Sequence, residues 1–177
     1  MTCIAGLVHN GTVYMGGDSA GVAGLSLTVV TTPKVFKKDT LIIGYTSSFR
    51  MGDLLQYKFT PPLHDPNLDT RAYMVTAFVD AVRQCLKDGG YAKKENEVES
   101  AGQFLVGYRG RLFFIYDDYQ VNEGACGYAV GGCGREPALG ALFANAHLEP
   151  QARILQALEA AEMFNTGVRR PFYVEST

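Results

Sequence analysis

The sequence predicts an α+β fold in which two mostly antiparallel β-sheets stack on each other and helices cover their outer faces. Three observations support this: short strand-like segments fill the first quarter of the chain, helical segments follow them, and the second half repeats that order. Separate runs of strands and of helices are typical of α+β proteins. At 177 residues the chain can bury an ordinary core, so we expect a single domain over residues 1–177.

A β-hairpin is predicted at the start of the chain. Two apolar runs flank Asn10-Gly11, a dipeptide that favours the type I′ turn because both central residues take a positive φ. With these residues in the loop, facing residues have numbers that sum to 21, so Cys3 faces Asp18. Thr2 then lies one residue beyond this pair, and we expect a hydroxyl and a carboxylate together at the open end of the hairpin.

The remaining elements follow from composition and periodicity. Residues 19–24 are small and flexible, which predicts a loop, and the charged run 91–100 also predicts a loop. Asp69 or Thr70 can cap a helix that ends at Gly89-Gly90. We expect the second sheet to begin at residue 103. Further strands are predicted at 25–31, 34–38, 41–45, 103–108, 111–116, 119–123, 127–134 and 172–175, and further helices at 49–59, 137–146 and 150–163.

Composition indicates neither a nucleic-acid nor a membrane partner. Sixteen Lys and Arg against eighteen Asp and Glu leave no basic excess to bind phosphates. No apolar run reaches the ~18 residues of a membrane helix, and the first one breaks at Asn10-Gly11, so no signal peptide is predicted. The four cysteines form no Cys-x-x-Cys pair and have no histidine at metal-ligand spacing. We therefore expect reduced thiols in a cytoplasmic protein, without a metal or a cofactor.

The N-terminal half is similar to the proteasome β-subunits and to the bacterial ring protease HslV, which are N-terminal-nucleophile hydrolases. In that family a nucleophilic threonine begins a strand, an aspartate follows sixteen residues later, and a lysine follows after sixteen more. Thr2, Asp18 and Lys34 have both spacings. The resemblance implies the four-layer αββα sandwich of that family, hydrolysis of peptides or unfolded proteins, and a homo-oligomeric ring that can work with an ATP-dependent unfoldase.

The resemblance also implies a role for each of four residues. Thr2 is the nucleophile, and its own α-amino group, freed by removal of Met1, is the base that accepts the hydroxyl proton. Lys34, oriented by Asp18, supplies a positive charge that lowers the pKa of this amine. The backbone N–H of Ser48 stabilises the oxyanion, although the family usually has glycine there.

The match to the family is weaker in two other motifs. The family's Gly-Ser-Gly turn, whose serine contacts the amine, aligns with residues 130–134 such that Gly132 takes the serine position. Cys133 or a water molecule can then replace the missing hydroxyl. The family's Asp-x-x-Ser-Gly is only loosely matched, since Thr166-Gly167 can stand for Ser-Gly but no aspartate lies three residues before Thr166.

Two alternative functions stay open on the sequence. The chain can be a catalytically inactive proteasome-like scaffold subunit, which follows if Met1 is retained and the nitrogen of Thr2 stays an amide without basicity. It can also be an N-terminal-cysteine amidase, with Cys3 as the nucleophile, but this requires loss of Thr2. Near Thr2, Arg50 can select acidic residues before the cleaved bond, although a solvated arginine at a helix start is more common.

Overall fold

The computed structural model describes residues 1–95 and 98–177, and its two larger sheets are antiparallel and pack against each other. The strands are β1 (Cys3–His9), β2 (Thr12–Gly17), β3 (Ala20–Ala23), β4 (Ser26–Val29), β5 (Val35–Lys38), β6 (Leu41–Tyr45), β7 (Lys93–Glu95), β8 (Val98–Ser100), β9 (Phe104–Tyr108), β10 (Arg111–Ile115), β11 (Val121–Asn122), β12 (Tyr128–Gly132) and β13 (Tyr173–Ser176). The helices are α1 (Phe49–Asp53), α2 (Thr70–Tyr73), α3 (Val79–Asp88), α4 (Arg135–Ala144) and α5 (Pro150–Phe164). A π-helical turn continues α1 over Leu54–Lys58, and another joins α2 to α3 over Met74–Phe78.

The first sheet has the strand order β12-β1-β2-β13, and the second has the order β11-β10-β9-β6-β5. The β1–β2 hairpin has the predicted register, in which Ile4 faces Gly17 and His9 faces Thr12. Asn10 and Gly11 both have a positive φ, as the type I′ turn requires. The predicted hairpin is therefore confirmed, and it places the residues before β1 beside those after β2.

Three predictions about where strands occur and which sheet they join are wrong. Residues 19–24, expected to be a loop, contain β3, which pairs with β4 around a turn at Gly24. The expected loop 91–100 contains the β7–β8 hairpin, and residues 96–97 lie outside the described residues. The second sheet does not begin at residue 103, because β5 and β6 belong to it through the pairing of β6 with β9. Composition could not predict these pairings, because a strand makes its backbone hydrogen bonds with a partner strand that can lie far away in the sequence.

Apolar side chains are buried in three clusters. Successive residues of a strand point to opposite faces, so each sheet contributes to one cluster between the sheets and to another beneath its helices. In β1, Ile4 faces the other sheet, whereas Cys3, Ala5 and Leu7 pack with α4 and α5. The helices α1, α2 and α3 cover the second sheet. The cluster between the sheets contains Ile4, Val13, Met15, Val35, Ile42, Leu105, Leu112 and Phe114.

Polar side chains cap the N-termini of two helices. Ser48 caps α1 by accepting a hydrogen bond from the backbone N–H of Arg50. Asp69 caps α2 by accepting hydrogen bonds from the N–H groups of Arg71 and Ala72, and Gly89 is the C-cap that follows α3. The predicted start and end of this helical segment are therefore confirmed. Among the described residues, no helix combines the length and the apolar character needed to span a bilayer.

Candidate active site

The ends of three strands bring together the first three predicted site residues. Thr2 precedes β1, Asp18 follows β2, and Lys34 precedes β5. The Nζ atom of Lys34 lies 3.0 Å from Oγ1 of Thr2 and 2.9 Å from Oδ1 of Asp18. All three side chains are buried, with exposed fractions of 6% for Thr2, 0% for Asp18 and 1% for Lys34. The two sixteen-residue spacings thus correspond to one contiguous, desolvated polar cluster.

All three N–H groups of the Lys34 ammonium have partners. Besides Thr2 and Asp18, the ammonium donates to the carbonyl oxygen of Ala20 at 2.7 Å. Burial lowers the pKa of Lys34, and the charge and hydrogen bond of Asp18 act in the opposite direction. The ammonium is therefore held in one orientation, with one N–H directed at the hydroxyl of Thr2.

The carboxylate of Asp18 accepts four hydrogen bonds. Its Oδ1 accepts from the backbone N–H of Cys3 at 2.9 Å and from Lys34, and its Oδ2 accepts from the N–H groups of Ala20 at 2.8 Å and Arg169 at 3.2 Å. A buried carboxylate is tolerated when its oxygens are paired in this way. Asp18 therefore ties β1, β2 and the segment before β13 to the position of Lys34.

The other partners of Thr2 come from Met1 and Cys133. Oγ1 of Thr2 donates to the carbonyl oxygen of Met1 at 2.5 Å, and its backbone N–H donates to Sγ of Cys133 at 3.2 Å. The Cys133 thiol in turn lies 3.4 Å from the carbonyl oxygen of Thr2. Met1 packs on Gly167, where an added Cβ would lie 2.5 Å from Cβ of Met1. In the chain that carries Met1, the nitrogen of Thr2 is an amide.

The side chain that contacts the nitrogen of Thr2 belongs to Cys133, the residue after Gly132, which the motif match placed at the family's serine position. Gly132 has a φ of 94°, and a Cβ added to it would lie 2.1 Å from the carbonyl oxygen of Thr2, so no side chain fits there. Cys133 is the residue whose side chain reaches the nitrogen of Thr2. The sequence signal was the Gly132-Cys133-Gly134 triplet itself, which has a polarisable side chain between two glycines.

Ser48 lies near Thr2, but its backbone N–H is already bonded. Residues 45–49 line a small cavity with Met1 and Thr2. The N–H of Ser48 donates to the carbonyl oxygen of Thr46 at 2.6 Å, across Ser47, whose φ is 65°. The predicted oxyanion donor therefore borders the cavity without a free N–H in this arrangement.

Two other candidates lie away from the hydroxyl of Thr2. Arg50 does not line the cavity, because its guanidinium donates to the carbonyl oxygen of Gly89 at 3.1 Å. Cys3 is fully buried, and its side chain packs among the apolar residues under α4 and α5. Burial, followed by the charge of Asp18, raises the pKa of its thiol, which disfavours the nucleophilic thiolate. The geometry thus gives no support to Cys3 as the nucleophile.

No protein-family model matches the sequence, and no curated protein matches it. Solved structures do match. Thiobacillus denitrificans BPH in complex with epoxomicin has a TM-score of 0.83 at 20% identity, over 99% of this chain and 98% of that one. Eukaryotic HslV from Trypanosoma brucei has a TM-score of 0.71 at 16% identity, over 99% and 98% of the two chains. A Gly-1 mutant of Anbu from Hyphomicrobium sp. strain MC1 has a TM-score of 0.70 at 17% identity, over 98% and 80%.

These matches extend over nearly all of the chain, whereas the sequence motifs lie mainly in its N-terminal half. Backbone similarity at this low identity establishes a shared fold, and function is argued from the site. The chain therefore has the fold of the proteasome-like subunits of the N-terminal-nucleophile hydrolases.

Proposed function

We propose that this protein is a threonine peptidase that cleaves peptide bonds with Thr2 as its nucleophile after removal of Met1. One observation carries the proposal: the buried ammonium of Lys34 lies 3.0 Å from Oγ1 of Thr2 and is held there by Asp18. If the ion pair of Lys34 and Asp18 had only a structural role, the hydroxyl of Thr2 would not be needed beside it, since Asp18 already neutralises much of the charge of Lys34. A nucleophile needs both a hydroxyl and a nearby base, and the freed α-amino group supplies that base.

The mechanism follows from the positions of these groups. The α-amino group takes the proton of the Thr2 hydroxyl, and Oγ1 attacks the carbonyl carbon of the scissile bond. The positive charge of Lys34 lowers the pKa of the amine, which increases its neutral fraction at neutral pH. The tetrahedral intermediate then breaks down, the amine gives its proton to the leaving nitrogen, and an ester remains on Thr2. A water molecule, deprotonated by the same amine, hydrolyses the ester and restores the hydroxyl.

Cys133 and Ser48 have supporting roles in this mechanism. The Cys133 thiol already contacts the nitrogen of Thr2, so it can hold the freed amine close to the hydroxyl, as the family's serine does. The N–H of Ser48 can donate to the oxyanion if its hydrogen bond to Thr46 is exchanged for one to the substrate. Neither role requires a metal or a cofactor.

The proposal also covers the assembly and the setting of the chain. We propose that residues 1–177 form one domain, a four-layer αββα sandwich, and that copies assemble into a homo-oligomeric ring around the sites. The likeness to HslV and BPH supports these statements, as does the packing of helices against both sheets. Unfolded polypeptides are the proposed substrates, an ATP-dependent unfoldase is a proposed partner, and the cytoplasm is the proposed location.

A catalytically inactive scaffold subunit is the second candidate. The observation that favours it is the position of Met1, whose carbonyl oxygen accepts the hydrogen bond of the Thr2 hydroxyl while its side chain covers Gly167. If Met1 remained attached, Thr2 would have no basic nitrogen. The intact mass of the purified protein separates the two candidates, because the peptidase must lack one methionine.

The test of the peptidase proposal is covalent labelling by a peptide epoxyketone, the inhibitor class of the epoxomicin bound to BPH. We expect one adduct per chain on the wild type, located on Thr2 by peptide mass spectrometry, and none on Thr2→Ala. Thr2→Ser is the matched control, because it keeps a hydroxyl and should keep the adduct. Equal labelling of the wild type and Thr2→Ala, or labelling of neither, would contradict the proposal.

A further inference from the structure

We propose that Gly167 forms the floor of the site that receives the residue after the cleaved bond, and that this site accepts an unbranched apolar side chain such as that of methionine. This inference rests on the proposed function of Thr2, and it adds a specificity-determining residue and a substrate class. It is carried by the space that Met1 occupies beside Thr2 and vacates when it is removed.

The side chain of Met1 lies against Gly167. A Cβ atom added to Gly167 would lie 2.5 Å from Cβ of Met1, 2.6 Å from its Sδ and 2.9 Å from Sγ of Cys133. The carbonyl oxygen of Met1 instead accepts the hydrogen bond of the Thr2 hydroxyl. Met1 therefore extends from the nitrogen of Thr2 over Gly167, with Cys133 beside it.

Gly167 leaves room for a neighbouring side chain. Its backbone does not take the left-handed conformation that requires glycine. Gly167 is buried, and the three atoms nearest to an added Cβ all belong to the side chains of Met1 and Cys133. A side chain at this position would therefore fill the space beside the nitrogen of Thr2.

Asn165 fixes this floor relative to Cys133. Its Nδ2 donates to the carbonyl oxygen of Cys133 at 2.8 Å, and its Oδ1 accepts from the backbone N–H of Gly167 at 2.9 Å. Two residues after Gly167, the N–H of Arg169 donates to Asp18 at 3.2 Å. The segment that contains Gly167 is thus tied on one side to Cys133 and on the other to the carboxylate that orients Lys34.

The chemistry places the residue after the cleaved bond in this space. In the proposed mechanism the freed amine of Thr2 gives its proton to the leaving nitrogen, so the two nitrogens must come within about 3 Å of each other. Met1 is bonded to that same nitrogen of Thr2 and departs when the amine is freed. The residue that carries the leaving nitrogen therefore enters the volume that Met1 has vacated, above Gly167 and beside Cys133.

The shape and exposure of this space favour an unbranched apolar side chain. Both Cβ and Sδ of Met1 lie close to Gly167, so the methionine side chain runs along the floor. Met1 is 55% exposed, so a residue of its size buries about half of its surface there. Because burial of apolar surface is favourable, methionine should be accepted more readily than glycine, which has no side chain to bury.

The test measures kcat/KM for two quenched-fluorescence peptides that differ only in the residue after the cleaved bond, which is methionine in one and glycine in the other. Their common sequence comes from a bond that the wild type cleaves in casein, an unfolded polypeptide, as mapped by mass spectrometry. We expect the wild type to prefer the methionine peptide by about fivefold. Gly167→Ala should lower this ratio by about tenfold, since pocket size discriminates by such factors.

Two controls separate a narrower site from general damage. Gly140→Ala makes the same change inside α4, where an added Cβ meets no atom of the described residues within 4 Å beyond its own helix and chain neighbours, and it should keep the wild-type ratio. A peptide epoxyketone has no residue beyond the group that Thr2 attacks. It should therefore label Thr2 at the wild-type rate in both variants.

Equal rates of the two peptides on the wild type would overturn the role of Gly167 and leave the role of Thr2 intact. An unchanged ratio in folded Gly167→Ala, or loss of epoxyketone labelling from it, would also overturn that role. If Gly167→Ala does not fold, as judged by circular dichroism, the wild-type ratio decides alone. If the wild type cleaves no bond in casein, the peptidase proposal fails, and this inference fails with it.

Discussion

At the scale of single residues, the candidate site depends on the buried ion pair of Lys34 and Asp18, in which all three N–H groups of the ammonium donate hydrogen bonds. Lys34 donates to Thr2, Asp18 and Ala20, so its ammonium cannot rotate away from the hydroxyl without losing a hydrogen bond. Burying two charges costs several kcal/mol per ion unless the geometry and further hydrogen bonds offset that cost. Asp18 meets this condition through backbone N–H groups from three segments of the chain.

We expect Lys34→Met to lower the free energy of unfolding by about 3–5 kcal/mol, because the buried carboxylate of Asp18 loses its counter-charge. Urea denaturation followed by circular dichroism measures this change. The double variant Asp18→Asn with Lys34→Met should recover part of the loss, since no unpaired charge remains. A loss below ~1 kcal/mol in the single variant would show that the pair is not buried and charged as described. Labelling of Thr2 should be absent from both variants.

At the scale of elements, α1 shows tertiary packing prevailing over helix propensity. Gly52 lies inside this helix, although glycine is unfavourable there by roughly 1 kcal/mol relative to alanine. The ring of Tyr45 explains the glycine, because it occupies the place where a Cβ would be. Gly140 lies inside α4, and among the described residues no atom beyond its chain neighbours and the backbone of its own helix lies within 4 Å of its Cβ position, so no contact seen there requires glycine.

We therefore expect the same substitution to have opposite effects in the two helices. Gly52→Ala should destabilise the protein by about 1–3 kcal/mol, since the added methyl group overlaps the Tyr45 ring. Gly140→Ala should stabilise it by about 0.5–1 kcal/mol, because only backbone entropy and helix propensity change. Urea denaturation of both variants measures the two values, and a stabilising Gly52→Ala would contradict the packing of α1 on β6.

At the scale of the whole molecule, two sheets and their helices leave several large apolar side chains exposed. When exposed apolar side chains form a large contiguous patch on a protein surface, that patch is often a site of association. The exposed apolar side chains include residues of the β3–β4 hairpin, of the turn that joins its strands, of α4 and of the end of α5. The residues are Leu25, Leu27 and Val29 on the hairpin, Phe143 on α4, and Met163 and Phe164 on α5.

The proposed ring predicts that the protein is not a monomer. We expect native mass spectrometry at micromolar concentration to give one dominant assembly whose mass is a multiple of the 19.3 kDa chain. Raising the salt concentration should leave it assembled, because contacts between apolar side chains are not screened by ions. A monomer at every concentration tested would contradict the ring, whereas labelling of Thr2 tests the peptidase independently.

The sequence alone determined the features that depend on neighbouring residues. The Asn10-Gly11 turn fixed the register of β1 and β2, and that register placed Thr2 beside Asp18. Periodicity also located the main helices, because the apolar face of a helix recurs along the chain. The position of Lys34 was predicted only through the resemblance to a family, since Thr2 precedes a strand of the first sheet and Lys34 precedes a strand of the second.

Only the tertiary structure decided the features that depend on contacts between distant segments. It paired β6 with β9, made a strand of the small residues after Asp18, and showed that Cys133 rather than Gly132 faces the nitrogen of Thr2. In the folded chain the guanidinium of Arg50 also contacts Gly89, and the ring of Phe49 lies beside Lys34. Composition and periodicity describe which residues are buried, but strand partners and side-chain directions are set by packing across the whole molecule.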